Sequence, residues 1–292
     1  MLGTILTILS WITTPFLRIF YRWEEKTVHN DSEYAEYNET ITLALYKPRL
    51  ARKGKRLSIF SPILGGDNMV AKAFAMYFAI FHQRPCVIVY RGAYPFTGQT
   101  PEQFNEKLKA FKYNYRIVEE WLYLNGYMIP DQTETVAIGA SMGGIITLNL
   151  AVEDRYDRYI SIVGGTPIID IMYDSELDQF RKWFEKRARE HQISVDKVVP
   201  LYYEGVTEDL PHQVLYSDEP GGPTPKPEKI FTITAIFDDI VPTRYQEEVW
   251  DMGLVNQNVS LPAGHYTIAL WFPVLLAVLS FWTLTTKKTS TK

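Results

Sequence analysis

Hydrophobic and polar positions change period repeatedly along the chain. Ile41-Thr42-Leu43-Ala44-Leu45-Tyr46 alternates as a half-buried strand does and stops at Lys47-Pro48. A second apolar run, Arg56 to Leu64, ends at Gly65-Gly66. Met69, Ala73, Met76, Tyr77 and Ile80 then recur at helical spacing, and Cys86 to Tyr90 reads as the next strand. A loop with Gly92, Pro95 and Gly98 leads into a long amphipathic helix over 101–125, ended by Gly126. The short β-branched run Thr135-Val136-Ala137-Ile138 is followed by a glycine-rich turn and a helix over 143–153. Strands at Tyr159–Val163 and Ile230–Ile236, a helix at Arg244–Met252, a short strand at Asn258–Leu261 and an apolar C-terminal helix complete the order.

Strands thus alternate with helices from residue 41 onward, which predicts an α/β fold: one mostly parallel sheet with helices on both faces. One segment, about 169–228, breaks the alternation. It holds the charged helix SELDQFRKWFEKRARE and the loop PGGPTPKP but no buried strand, and is expected to be a small inserted cap. Trp183 and Phe184 in that helix are expected to pack the cap on the body, with an acyl pocket as their alternative use. The polar stretch 26–40 is expected to form a loose edge.

The ends differ from the middle. Residues 2–17 carry no charge, and Leu2, Ile5, Leu6, Leu9, Ile12, Phe16, Ile19 and Phe20 fall roughly on one helical face. The expectation is an apolar N-terminal helix over 1–25 that anchors the protein at a membrane interface, with docking on the protein's own surface as the alternative. Pro15 interrupts it and its length is marginal for a span; no secretory signal pattern is present. Arg18, Arg22 and Lys26 favour a cytoplasmic catalytic domain, weakly, because Glu24 and Glu25 sit among them. Tyr266–Thr286 is also uncharged and long enough to span. Its position directly after His265 favours a last packed helix of the 26–286 domain, before the polar tail 287–292.

The 292 residues are 46% hydrophobic, enough for a sizeable core, with a formal net charge of −4. No basic patch interleaved with aromatics is present, which argues against a nucleic-acid partner. The one cysteine, Cys86, lies in an apolar run and is expected in the core.

Gly139-Ala140-Ser141-Met142-Gly143 fits Gly-x-Ser-x-Gly between a buried strand and a helix. Such a turn strains the serine backbone, and small neighbours let strand and helix approach closely. A serine hydroxyl is a weak nucleophile at neutral pH and needs a base. Among five histidines, His265 alone follows the last strand, after Leu261-Pro262-Ala263-Gly264, where a loop lies over the carboxyl end of the sheet. His82 reads as a solvated helix terminus, His29 as part of a polar edge, and His191 and His212 as cap residues. A carboxylate is needed to orient the imidazole, and Asp238 and Asp239 both follow the strand Ile230–Ile236. Glu119 and Glu120 on the long helix read as solvated or lysine-paired, and Arg91-Gly92 as shaping a turn.

The order Ser141, Asp238 or Asp239, His265 is that of α/β-hydrolases. The chain resembles that superfamily, in its esterase and dienelactone-hydrolase-like part, through SPILGG at 61–66, GASMGG at 139–144, AIFDDIVP at 235–242 and AGH at 263–265. The resemblance covers about residues 41–285. It implies an acyl-enzyme mechanism in a serine hydrolase. The usual Asp-x-x-Val-Pro spacing of the family points to Asp238 as the acid. An oxyanion hole is implied from the backbone N–H of Met142 and of Ile63, with Leu64 as the alternative; Pro62 has no N–H to give. The His-Gly common in that loop is absent here. No cofactor or metal is expected. The expected substrate is a small-molecule or lipid carboxylic ester. A peptidase or acyltransferase on the same fold, or a membrane-anchored inactive binding protein, are the competing readings.

Overall fold

The computed structural model describes residues 19–33, 35–36, 39–49, 55–62, 69–80, 82, 84–89, 100–211, 226–251 and 253–285. Eight strands form one sheet: β1 (Tyr21–His29), β2 (Thr40–Pro48), β3 (Arg56–Ser61), β4 (Cys86–Val89), β5 (Glu134–Ala140), β6 (Arg158–Ile162), β7 (Ile230–Ala235) and β8 (Gln257–Leu261). Their spatial order is β1-β2-β4-β3-β5-β6-β7-β8. The β1–β2 and β2–β4 pairs are antiparallel and every other pair is parallel. The parallel centre is made from continuous apolar runs because helices cover both of its faces; β6 and β7 are buried along their whole length.

The helices divide between the faces. One face carries α1 (Met69–Ile80) and α8 (Phe272–Thr285), which share a core with Phe60, Ile88, Ile138 and Phe231. The other carries α2 (Pro101–Leu124), α3 (Met142–Val152) and α7 (Thr243–Asp251), around Ile59, Val87 and Ala137. α2 starts as its sequence dictates, with Thr100 capping the Gln103 N–H at 3.3 Å and Pro101 in the first turn. The chain passes from β3 through α1 to β4, then crosses back by α2 to β5 on the far side of β3. Winding direction reverses between β3 and β5, and ligands in such sheets bind beyond the carboxyl ends of the strands at the reversal. The turn after β5 carries Ser141.

Between β6 and β7 lies the helical segment α4 (Ile168–Asp174), α5 (Asp178–His191) and α6 (Val198–Gly205). Only the charged helix of this segment was legible as a pattern, since α4 and α6 are two turns long. Asp209, 2% exposed, accepts the Ile168 N–H at 2.8 Å, and Asn149 Oδ1 of α3 accepts the Leu210 N–H at 3.0 Å. These bonds tie the far end of the segment back to its start and to the body. Trp183 packs edge-on against Phe104 of α2 and Tyr202 of α6, so it joins this segment to the body as expected.

Four expectations need correction. Residues 19–20 form a turn and 21–25 lie in β1, so the apolar helix expected over 1–25 does not extend there; residues 1–18 lie outside the described set. The chain there satisfies the edge of β2 instead, from Tyr21↔Pro48 to His29↔Thr40, and residues 26–29 are paired rather than loose. Arg22, Glu24, Glu25 and Lys26 place charge on this outermost strand, which blunts it as a template for other chains. His82 is buried between Tyr77 and Phe78, both ring centroids 5.1 Å away, with Nε2 3.2 Å from the Tyr77 hydroxyl. Glu119 is paired with Arg155 and Tyr156 rather than with lysine.

The apolar C-terminal stretch is a packed helix. Leu275, Leu279 and Trp282 of α8 are buried, and the Tyr77 hydroxyl of α1 donates to the Leu276 carbonyl at 3.1 Å. Fourteen residues span about 21 Å, short of the ~30 Å hydrocarbon layer. Among the described residues no helix is long and apolar enough to cross a membrane.

Candidate active site

Ser141 stands between β5 and α3 with φ 55° and ψ −120°, a conformation that side-chain-bearing residues rarely adopt. The glycines around it explain how the turn is held. A Cβ on Gly139 would lie 1.9 Å from the Gly143 carbonyl oxygen, and one on Gly143 would lie 1.9 Å from the Ser61 carbonyl oxygen. A Cβ on Gly144 would press at 2.9 Å on Gly164. β5, β3 and α3 therefore touch backbone to backbone. The Ser141 N–H donates to the Ile162 carbonyl at 2.8 Å, and its carbonyl accepts the Ile145 N–H at 3.0 Å.

The N–H of Met142 opens α3, where no carbonyl four residues earlier lies within the helix, and the helix dipole adds positive potential there. Those are the properties an oxyanion donor needs. Ile63, like Leu64, lies outside the described residues, as do Arg91-Gly92 and His212.

Asp238 and His265 come together from the loops after β7 and β8. His265 Nδ1 lies 2.9 Å from Asp238 Oδ2 and 3.1 Å from Oδ1. Asp238 is 4% exposed. It also accepts the N–H groups of Ile240 and Val241, both at 2.9 Å on Oδ1, and the Gln246 side chain at 3.2 Å on Oδ2. Three donors besides the imidazole fix the carboxylate in place. Asp239 faces solvent, and its carbonyl accepts the Glu176 N–H at 3.0 Å. With Nδ1 turned to a carboxylate, the neutral imidazole can carry its proton there and leave Nε2 able to accept one.

Gln246 was not singled out by sequence reasoning. It sits on the buried side of α7, 1% exposed, donates to the Val241 carbonyl at 2.6 Å and accepts the Ala235 N–H at 3.0 Å. It thereby fixes the end of β7, the turn after it and Asp238 in one network.

Ser141, Met142 and His265 line one cavity of about 260 Å³. Its walls are apolar: Ile145 from α3, Ile168, Ile171 and Met172 from α4, Leu177 ahead of α5 and Phe180 within it. Gln179 and Tyr266 also line it, and no Asp, Glu, Lys or Arg does among the described residues. Neither Trp183 nor Phe184 reaches it; Phe180, one turn earlier, does.

No protein-family model matches the chain, and no curated protein matches it. Solved structures do. A ferulic acid esterase superposes with a TM-score of 0.59 at 12% identity, over 90% of this chain and 98% of that one. FphF, a fluorophosphonate-binding serine hydrolase of Staphylococcus aureus, gives a TM-score of 0.59 at 13% identity, over 89% and 98%. An acylaminoacyl peptidase of Pyrococcus horikoshii gives 0.63 at 12% identity, over 96% of this chain and 44% of that one. With the sheet order and helix placement described above, these likenesses establish that the chain has the α/β-hydrolase fold.

Proposed function

We propose that the protein is a serine hydrolase that cleaves a carboxylic ester with an apolar acyl group through an acyl-enzyme. One observation carries the reading: a serine in a strained strand-to-helix turn and an imidazole held by a buried carboxylate open onto the same cavity, whose described walls are apolar. The names of the similar structures, esterases and a fluorophosphonate-binding serine hydrolase among them, support the same class.

Ser141 Oγ attacks the ester carbonyl carbon while its proton passes to His265 Nε2. Charge that develops on the carbonyl oxygen is met by the Met142 N–H, a contact worth about 3 kcal/mol in well-placed donors. Asp238 stabilises the imidazolium and keeps Nδ1 protonated. The C–O bond to the alcohol breaks, and Nε2 returns the proton to the leaving oxygen. Water then repeats the sequence on the acyl-serine, releasing the acid and restoring Ser141. The acyl group lies against Ile145, Ile171 and Phe180, where burial of its methylenes contributes binding. Among the described residues the cavity wall offers no ion-pair partner for a substrate terminus, which favours a neutral ester over a charged peptide.

Labelling with a fluorophosphonate tests this. Modification should fall on Ser141 and vanish in Ser141→Ala, with ester hydrolysis lost in parallel; equal labelling of the variant refutes the assignment. Membrane association through the uncharged run 2–17, with the catalytic domain on the cytoplasmic side, belongs to the same proposal. Removal of that run should move the protein from the membrane fraction to the soluble one.

A further inference from the structure

The exposed side of α8 and the loop ahead of it carry no charge. From Met252 to Thr286 the sequence contains no Asp, Glu, Lys or Arg. A helix packed on a sheet ordinarily turns charged and polar residues outward. α8 instead exposes Pro273, Val274 and Ala277 while burying Leu275, Leu279 and Trp282. Tyr266 is 71% exposed, Leu270 58% and Val274 42%, and Phe237, 64% exposed, joins them because its N–H donates to the Ala263 carbonyl beside them. A patch of this kind on a protein surface marks an interaction site.

We infer that this face rests on a lipid surface and that the cavity opens beside it. The chemistry of the patch and its borders favours lipid over protein. Aromatic Tyr266 and Phe237 stand among aliphatic Leu270 and Val274, as in a layer at the depth of headgroups and upper acyl chains. In the sequence the uncharged run is followed at once by Lys287 and Lys288, with Lys292 beyond, and basic residues suit anionic headgroups. β1, which the uncharged run 2–17 precedes in the sequence, is tied to the same face of the sheet: the Tyr21 hydroxyl bonds Met76 of α1, and the adjacent Tyr77 bonds α8. Tyr266 belongs to both the patch and the cavity wall, so a substrate dissolved in lipid meets the site without crossing water.

The full-length protein carrying Val274→Cys, labelled with an environment-sensitive fluorophore, tests the inference without reference to hydrolysis; Cys86 is buried and stays unlabelled. Added vesicles of phosphatidylcholine and phosphatidylserine should shift emission to the blue and raise it severalfold, and quencher-bearing lipids should reverse the rise. The same label at Glu120→Cys, on the exposed side of α2 over the opposite sheet face, should not respond. Leu270→Cys gives a second position in the patch should the first variant fold poorly. Binding to vesicles with both patch probes unchanged overturns the inference and leaves residues 2–17 as the sole contact. Emission already blue-shifted without lipid overturns it too, because the face is then covered by protein: by residues 1–18 if dilution leaves the emission unchanged, by a second copy if dilution reverses it.

Discussion

Asp238 and Asp239 are identical side chains one position apart at the end of β7, and their surroundings give them different work. The first is buried and holds the imidazole; the second is exposed. Asp238→Asn should therefore lower kcat by about 10⁴-fold with the fold intact, because the amide cannot support the required tautomer and charge. Asp239→Asn should stay within about tenfold. Both are measured on one ester, with circular dichroism as the folding control; the reverse ranking would make Asp239 the acid. Gln246→Ala should cost roughly 1–3 kcal/mol of stability and about tenfold in kcat with KM little changed, since it frees Asp238 and strands the Ala235 N–H. Ser141, His265 and the aspartate pair were legible because each follows the end of a strand, and strand ends are visible as breaks in apolar runs. Gln246 was not: a glutamine in a short amphipathic helix has the same pattern whether its amide meets water or a buried carboxylate.

At the level of elements, two junctions carry most of the constraint. Where β3, β5 and α3 meet, backbone touches backbone, so Gly143→Ala must push apart α3 and the Ser61 carbonyl. It should destabilise by about 3 kcal/mol or more and abolish turnover, read by urea denaturation and an ester assay. At the start of β4, His82 is enclosed, and burial first, then the charges of Arg84 and Arg56 against the opposing pull of Glu134, bring its pKa down to about 4. Between about pH 6.5 and 4 the unfolded chain takes up a proton that the folded chain refuses. Stability should fall as pH drops through that window and be insensitive to this residue above it. His82→Gln should lower stability at pH 7, through lost contact with Tyr77 and Phe78, yet lose about 1 kcal/mol less than the parent between pH 7 and pH 5. Equal acid sensitivity of the two proteins in urea titrations would show that His82 does not carry the effect. Outside the cap segment the order of elements was legible from residue 41 to the last helix, since period 2 and period 3.6 are local properties. The burial of His82 was not, because it depends on the packing of α1 against the sheet. Nor was β1, whose exposed charges give it a surface pattern.

Over the whole molecule, the cavity exists only because the cap segment folds back on the sheet. One wall is α3, rooted behind the serine; the other is α4 and the start of α5. Such a junction escapes a one-dimensional reading: Trp183 and Phe180 lie on one amphipathic helix, and which of them faces the body or the cavity is set by the docking angle. Trp183 meets Phe104 and Tyr202, leaving Phe180 over the cavity. The space of about 260 Å³ between α3 and the cap bounds the length of acyl chain that the site can hold. Esters of medium-length acyl chains should therefore be turned over best, with kcat/KM falling once the chain outgrows the cavity. Phe180 is 6% exposed, so its removal does two things at once. Phe180→Ala should cost about 3 kcal/mol of stability, as a large buried ring is lost. It should also lengthen the cavity and move the optimum of a chain-length series toward longer esters, raising their kcat/KM relative to short ones by about tenfold. Trp183→Ala, with its ring outside the cavity, should lose comparable stability and leave the optimum where it was. A series of p-nitrophenyl esters run on the three proteins separates the effects: an optimum unmoved by Phe180→Ala, or moved equally by Trp183→Ala, would mean that the acyl chain lies somewhere other than between α3 and the cap.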